Sequence, residues 1–288
     1  ADKKELISGA KEASAILSVL TDEIDGEVMD AGLPELKIIA NYAAGFDNID
    51  LEAAKRRSIA VTNTPGVLTN TVAEHTFALM LAISHRLVEA DKFTRAGLYN
   101  AWGPLLLLGN DLSAKTLGVV GLGRIGSRVA EHAVKGFGMK VLYTDIKQSS
   151  EFEKEFTAQY FENLDDMLGR CDYVSLHVPL LESTKHLINE ERLKLMKTTA
   201  YLLNTSRGPI VDEKALAKAL KEGWIRGAAI DVFENEPKVE PGLLKLNNII
   251  LTPHIASATE ETRNKMAELA AHNIIEALEG RVPPNLVK

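Results

Sequence analysis

The sequence predicts an α/β protein: a doubly wound parallel-sheet domain together with a second, smaller α/β body. Two observations carry that expectation. Short apolar runs alternate with helix-length segments through most of the chain. One of those runs feeds directly into a glycine-rich turn that opens a helix. Runs that are apolar throughout, joined by helices, are how strands of a parallel sheet read when both faces are covered.

The elements follow in order. AILSVL (15–20), LKIIA (36–40) and AVTNT (60–64) are expected strands, separated by helical or turn segments. A long helix is expected from about Thr71 to Ala90, apolar on nearly all sides. Then come the strands TLGVVG (116–121), KVLYTD (140–145), YVSLHVP (173–179), AYLLNT (200–205), GAAIDVF (227–233) and IILTP (249–253). Helices are expected at 124–137, 164–169, 189–196, 212–222 and 259–279. Residues 73–255 suffice for one doubly wound domain, leaving 1–72 and 256–288 for the smaller body. Only two or three strands precede the long helix, so either that body is small or a leading strand lies outside the chain.

Composition narrows the class of function. The 288 residues are 45% hydrophobic and 25% charged, which is ordinary for globular domains and enough for a large core. A net charge of -7 argues against a nucleic-acid surface and fits a protein that handles small molecules. The single cysteine, Cys171, cannot form an internal disulfide, so a reducing cytoplasm is the expected location and a buried, inert thiol the expected state. The start, ADKKEL, lacks the apolar segment of a signal peptide, and runs such as FALMLAI (77–83) are too short to span a bilayer. No membrane association is expected.

The strongest local motif is Gly121-Leu122-Gly123-Arg124-Ile125-Gly126, which matches G-x-G-x-x-G after an apolar strand. In such a loop the first glycine permits the tight turn and the second lets a pyrophosphate approach the backbone. The third lets helix and strand pack closely, with the phosphates at the positive helix N-terminus. Asp145 ends the next strand, 19 residues after Gly126, where an acidic side chain binds the ribose hydroxyls of NAD and repels the extra phosphate of NADP. NADH is therefore expected over NADPH, with Lys147 nearby leaving some tolerance. Tyr143 and Lys147 also spell Y-x-x-x-K, a proton-donor pairing that needs a helix; running off a strand, the two share no face, and the motif is rejected.

Three further strand ends carry polar groups: Arg207 after AYLLNTS, Glu236 after IDVFEN, and His254 after IILTP. In an open parallel sheet all three project at the carboxyl edge, where ligands bind. Arginine holds a carboxylate with a planar fork of donors. Histidine can pass a proton to a carbonyl oxygen, with a carboxylate beside it in support. Taken singly, each has a plainer reading as an ion-pair partner, a capping histidine or a solvated acidic turn. Three complementary groups on successive strand ends favour a catalytic set.

With those residues in view, the sequence resembles the D-isomer-specific 2-hydroxyacid dehydrogenase family. The matching stretches are NYAAGFDNID (41–50), VTNTPGVLTNTVAEHTFALML (61–81), AKTLGVVGLGRIGSRVA (114–130), LLNTSRGPIVDEKAL (202–216), AAIDVFENEP (228–237) and LTPHIASAT (251–259). The resemblance implies a Rossmann cofactor domain, a flavodoxin-like substrate domain, and Arg207, Glu236 and His254 as catalytic residues. It places substrate-carboxylate binding on the amides of Ala44 and Gly45 and on Arg207. It implies cofactor contacts at Val72, Gly121, Gly123, Arg124, Ile125, Gly126, Asp145, Val178, Pro179, Thr205, Ser206, Asp231, His254 and Ala256. Family members normally have an extra strand and helix before the position of Ala1. Within the family, YNAWGPLLLLG (99–109) and the ending EGRVPPNLVK are similar to the glyoxylate and hydroxypyruvate reductases. There the tryptophan-bearing loop reaches the neighbouring subunit, so Trp102 would contact substrate in a homodimer. The expected activity is NADH-dependent reduction of small 2-oxo acids to D-2-hydroxy acids, with His254 as acid and base. The rivals are 3-phosphoglycerate dehydrogenase, disfavoured because no Lys or Arg occurs at 41–46, and an NADH-sensing, corepressor-like binding protein. No metal is expected, since His75, His85, His132, His186 and His272 show no ligand-like grouping; His177 either lines the cofactor cleft or is a satisfied strand residue.

Overall fold

The protein is described over residues 1–287 of a computed structural model. It divides into two compact units, Ala1–Leu68 with Ser257–Lys288, and Thr69–Ala256. The first unit comprises α1 (Lys3–Ala10), β1 (Ala15–Ser18), α2 (Gly26–Gly32), β2 (Ile38–Asn41), α3 (Leu51–Arg56), β3 (Ala60–Thr62) and the last helix, α11 (Glu260–Leu278). The second runs α4 (Thr69–Ser84), α5 (Leu87–Arg95), β4 (Thr116–Val120), α6 (Arg124–Phe137), β5 (Lys140–Thr144), α7 (Ser150–Phe156), β6 (Gln159–Tyr160), α8 (Leu164–Leu168), β7 (Tyr173–Leu176), α9 (Glu190–Leu195), β8 (Tyr201–Asn204), α10 (Glu213–Glu222), β9 (Gly227–Ile230) and β10 (Ile249–Leu251).

In the first unit three parallel strands lie in the order β1-β2-β3. β2 is buried along its whole length, as its unbroken apolar run IIA requires. Met29, Ile39, Ala53 and Val61 form part of a core there, and α11 packs against β2.

The second unit holds a seven-stranded parallel sheet in the order β10-β9-β8-β7-β4-β5-β6. The chain winds outward from β4 to β6, crosses back to β7, and winds outward again to β10. The order therefore reverses between β4 and β7, and ligands bind outside the carboxyl ends of strands at such a switch point. Side-chain alternation explains why these strands are apolar at every position. Leu202 faces a core with Leu168, Leu193 and Leu216 from α8, α9 and α10, whereas Leu203 faces one with Phe77, Met80 and Ala130 from α4 and α6. Each leucine buried so completely contributes about 1.5–3 kcal/mol relative to an exposed one.

All nine expected strands are present, each starting within two residues of its sequence reading. Most end earlier than their apolar or β-prone runs suggest. The surplus residues, among them Gly121, Asp145, Pro179, Thr205, Asp231 and Pro253, have turned out of the ladder at the carboxyl edge. The single helix expected over 71–90 is corrected to two. Arg86 adopts a left-handed backbone (φ 54°), with its guanidinium on Glu89 at 2.7 and 2.8 Å, and the Ser84 carbonyl accepts the Asn110 N–H instead of continuing the helix. The two-residue edge strand β6 and the helix α7 carry too little periodic signal to be read from sequence.

Candidate active site

Three turns at the carboxyl edge of the seven-stranded sheet build the site. The first follows β8, and Asn204 organises it from a buried position. Its Oδ1 accepts the Ser206 N–H (3.1 Å) and hydroxyl (2.9 Å), and its Nδ2 donates to the Arg207 carbonyl (2.9 Å). This side chain closes the turn that carries Arg207 out of a buried strand. The next residue has to be glycine. A Cβ on Gly208 would lie 1.9 Å from the carbonyl carbon and oxygen of Phe233, so the Arg207 turn rests directly on the backbone of the second turn.

That second turn follows β9 and carries Glu236. Its Oε1 accepts the Phe233 N–H (3.0 Å), and its Oε2 lies 2.9 Å from His254 Nδ1. Burial pushes the Glu236 carboxyl up. The bonds to His254 and Phe233 and the charges of His254 and Arg207 outweigh it and hold the group below the usual carboxylate range. An ionised carboxylate only accepts, so Nδ1 of His254 bears the proton and Nε2 is left for other partners.

The third turn follows β10. His254 sits there at φ 55°, a left-handed conformation that costs a non-glycine residue of order 1–3 kcal/mol. Asp231 holds it in place: the Asp231 carbonyl accepts the His254 N–H (2.8 Å). Its carboxylate takes the Thr252 hydroxyl (2.6 Å) and the Ile255 (2.9 Å) and Ala256 (2.7 Å) amides. Burial raises the Asp231 carboxyl, but these donors together with His75, 3.6 Å away, hold it low. Asp231 thus works from a fully buried position, as the frame of the turn that presents His254. His75 and Thr252 gave no signal in the sequence, because their partnership with Asp231 spans three separate segments.

Across the switch point, the glycine loop has the geometry its spacing implies. Gly121 has φ 94°, and a Cβ on Gly126 would fall 2.0 Å from the Gly121 carbonyl oxygen. A Cβ on Gly123 would meet nothing within 4 Å, which leaves the backbone open to a ligand. Gly123 N-caps α6 with no side-chain acceptor, so the first-turn N–H groups, including those of Arg124 and Ile125, face outward at a positive helix end. Asp145 Oδ2 accepts the Leu122 N–H (2.6 Å), tying the acidic group to the same loop. Val178 packs against Gly121, with the exposed Pro179 following it. Thr205 bonds Thr76 (2.9 Å), which in turn donates to the Val72 carbonyl (2.8 Å), so Val72 and Thr205 are brought together. These features fit a dinucleotide: open backbone where phosphates approach, a positive helix end beneath them, and a carboxylate at the next strand end along the sheet edge for the ribose.

The other expected residues fall as follows. Ala44 and Gly45 follow β2 in the first unit. Asn63 and Asn41 side chains hold their carbonyls at 2.7 and 2.8 Å, and among the described residues neither amide has an acceptor within the chain. Trp102 lies between α5 and β4 and is 79% exposed. His177 bonds Ser175 at 2.8 Å, and burial pushes its imidazole down to about 3. The Cys171 thiol is buried and pushed up to about 12. Tyr143 is buried against Glu153 while Lys147 is exposed, so the Y-x-x-x-K spelling has no structural counterpart. Among the described residues no group of three or more His, Cys, Asp or Glu side chains is placed to hold a metal ion.

A doubly wound sheet with this loop defines a dinucleotide-binding domain. The chain belongs to the D-isomer-specific 2-hydroxyacid dehydrogenase family: residues 77–256 match the family model described as D-isomer specific 2-hydroxyacid dehydrogenase, NAD binding domain. A glyoxylate reductase of Korarchaeum cryptofilum is 54% identical over 287 residues, spanning 99% of this chain and 86% of the relative. Among solved structures, the TT0316 protein of Thermus thermophilus superposes with a TM-score of 0.94 at 46% identity, covering 100% of this chain and 90% of that one. An NADPH-dependent glyoxylate/hydroxypyruvate reductase of Sinorhizobium meliloti, solved with NADP and malonate, gives a TM-score of 0.89 at 34% identity over 97% of this chain and 85% of that one.

Proposed function

We propose that the protein reduces glyoxylate and hydroxypyruvate with NADH, giving the D-hydroxy acid where a stereocentre forms. The observation that carries this reading is the Glu236–His254 pair, 2.9 Å apart, on the two strand ends beyond that of Arg207 at the edge of an NAD-binding sheet. Bound nicotinamide supplies the hydride. Arg207 holds the carboxylate of the 2-oxo acid through its guanidinium fork. His254 gives the proton on Nε2 to the substrate's carbonyl oxygen as hydride arrives, while Glu236 keeps the ring's tautomer and orientation through Nδ1–H. In the oxidative direction the same nitrogen takes the proton back.

The preference for NADH rests on Asp145, whose charge opposes a 2′-phosphate. A homodimer is proposed from the run of exposed apolar side chains Leu98, Tyr99, Trp102, Leu105 and Leu108, which a second copy would cover. A cytoplasmic location is proposed from the lone reduced cysteine; no helix of the described residues is long and apolar enough to cross a membrane. The test is NADH oxidation with glyoxylate, hydroxypyruvate, pyruvate and phosphohydroxypyruvate, each repeated with NADPH. Turnover of the first two with NADH is expected. Turnover of phosphohydroxypyruvate alone would move the assignment to phosphoglycerate oxidation.

A further inference from the structure

One buried carboxylate near the site has no part in the steps above. Glu213 opens α10 and is 3% exposed, yet no cation faces it among its hydrogen-bond partners. Its Oε1 accepts the Glu234 N–H (2.6 Å) and its Oε2 the Glu240 N–H (3.2 Å). These two amides flank the stretch that contains Glu236. The charged groups around it are Glu234 and Glu240, both of the same sign, and His186 is taken by Glu234 at 2.7 Å. Burial pushes the Glu213 carboxyl up, so the ionised form is costly where it stands. A chain keeps an uncompensated buried acid when both its oxygens have a task, and here each oxygen fixes one end of a single turn.

The turn so fixed is the one on which Gly208 rests, and Gly208 follows Arg207. We infer that Glu213 is a positioning residue: by bracketing residues 234–240 it sets the reach of Glu236 to His254 and the register of that pair against Arg207. This inference rests on the proposed roles of Glu236 and His254. Asp is one methylene shorter and would draw the carboxylate back from the two amides, and Gln offers one acceptor oxygen where two are used.

The experiment is a double-mutant cycle in the full chain with NADH and glyoxylate. Glu213→Ala is expected to lower kcat about tenfold in the native background, as a small misplacement of a catalytic group does. In a Glu236→Gln background the same change should cost less than about twofold, because the residue through which it acts is already lost. The NADH dissociation constant should stay within about twofold throughout, and Glu213→Gln should fall between native and Glu213→Ala. Equal losses in both backgrounds would overturn the inference. So would loss of NADH binding or of folding in both Glu213 variants, which would make the residue a general structural element. A native protein with no turnover of any 2-oxo acid would instead defeat the functional reading, before any variant is compared.

Discussion

At the scale of single residues, Asp145 makes the cofactor choice testable. One of its oxygens is spent on the Leu122 amide, which fixes the carboxylate beside the glycine loop and leaves the other for a ribose hydroxyl. Replacing it by serine removes the charge that opposes a 2′-phosphate while Lys147 remains on the same turn. Asp145→Ser is expected to lower the KM for NADPH about tenfold or more and to raise that for NADH, with kcat little changed. Unaltered KM ratios would remove Asp145 as the discriminating group. His254 differs in kind. Its place at a strand end was legible from the apolar run before it, but its left-handed backbone was not, because the Asp231 carbonyl and carboxylate that hold it come from a different strand end.

At the scale of elements, the contact between the Arg207 turn and the Glu236 turn decides how rigid the site is. Gly208 packs on the Phe233–Glu234 peptide, so Gly208→Ala forces the two turns apart. The expected cost is about 1–3 kcal/mol or more of stability, read in denaturant unfolding, with kcat falling alongside because both polar groups move. Native-like kcat in that variant would show that the turns move independently. The strands and the glycine loop were readable because apolar runs and G-x-G-x-x-G each reflect a local steric need. The helix break at Arg86 was not, since an arginine is a poor left-handed residue on intrinsic grounds and only its pairing with Glu89 and the Asn110 amide make the break. Glu213 escaped for the same reason: within VDEKAL it reads as a first-turn acid of a helix, and its partners lie 21 and 27 residues on.

At the scale of the whole molecule, buried and half-buried acids contribute to the response to pH. Asp231 and Glu236 have carboxyls held below their unfolded values. Each therefore contributes stability that is present above the unfolded carboxylate value, about 4, and is lost as pH falls through the folded one. Glu213 has the opposite sign: its carboxyl is raised, so its ionisation removes stability as pH climbs from the unfolded value through the folded one. The unfolding midpoint should decline on acidification below about pH 4, and Asp231→Asn should flatten that decline while lowering stability near neutrality. An unchanged acid slope would show that Asp231 is not one of the groups linked to folding.

The most direct measurement of the central claim is the steady-state rate of NADH oxidation by glyoxylate for the native chain beside His254→Ala, with NADH affinity measured for both. The account predicts turnover by the native protein and a loss of about 10²–10⁴-fold in kcat for the variant, at unchanged NADH affinity. A His254→Ala variant that binds NADH and reduces glyoxylate at the native rate would contradict it, as would a native protein that binds NADH and reduces no 2-oxo acid.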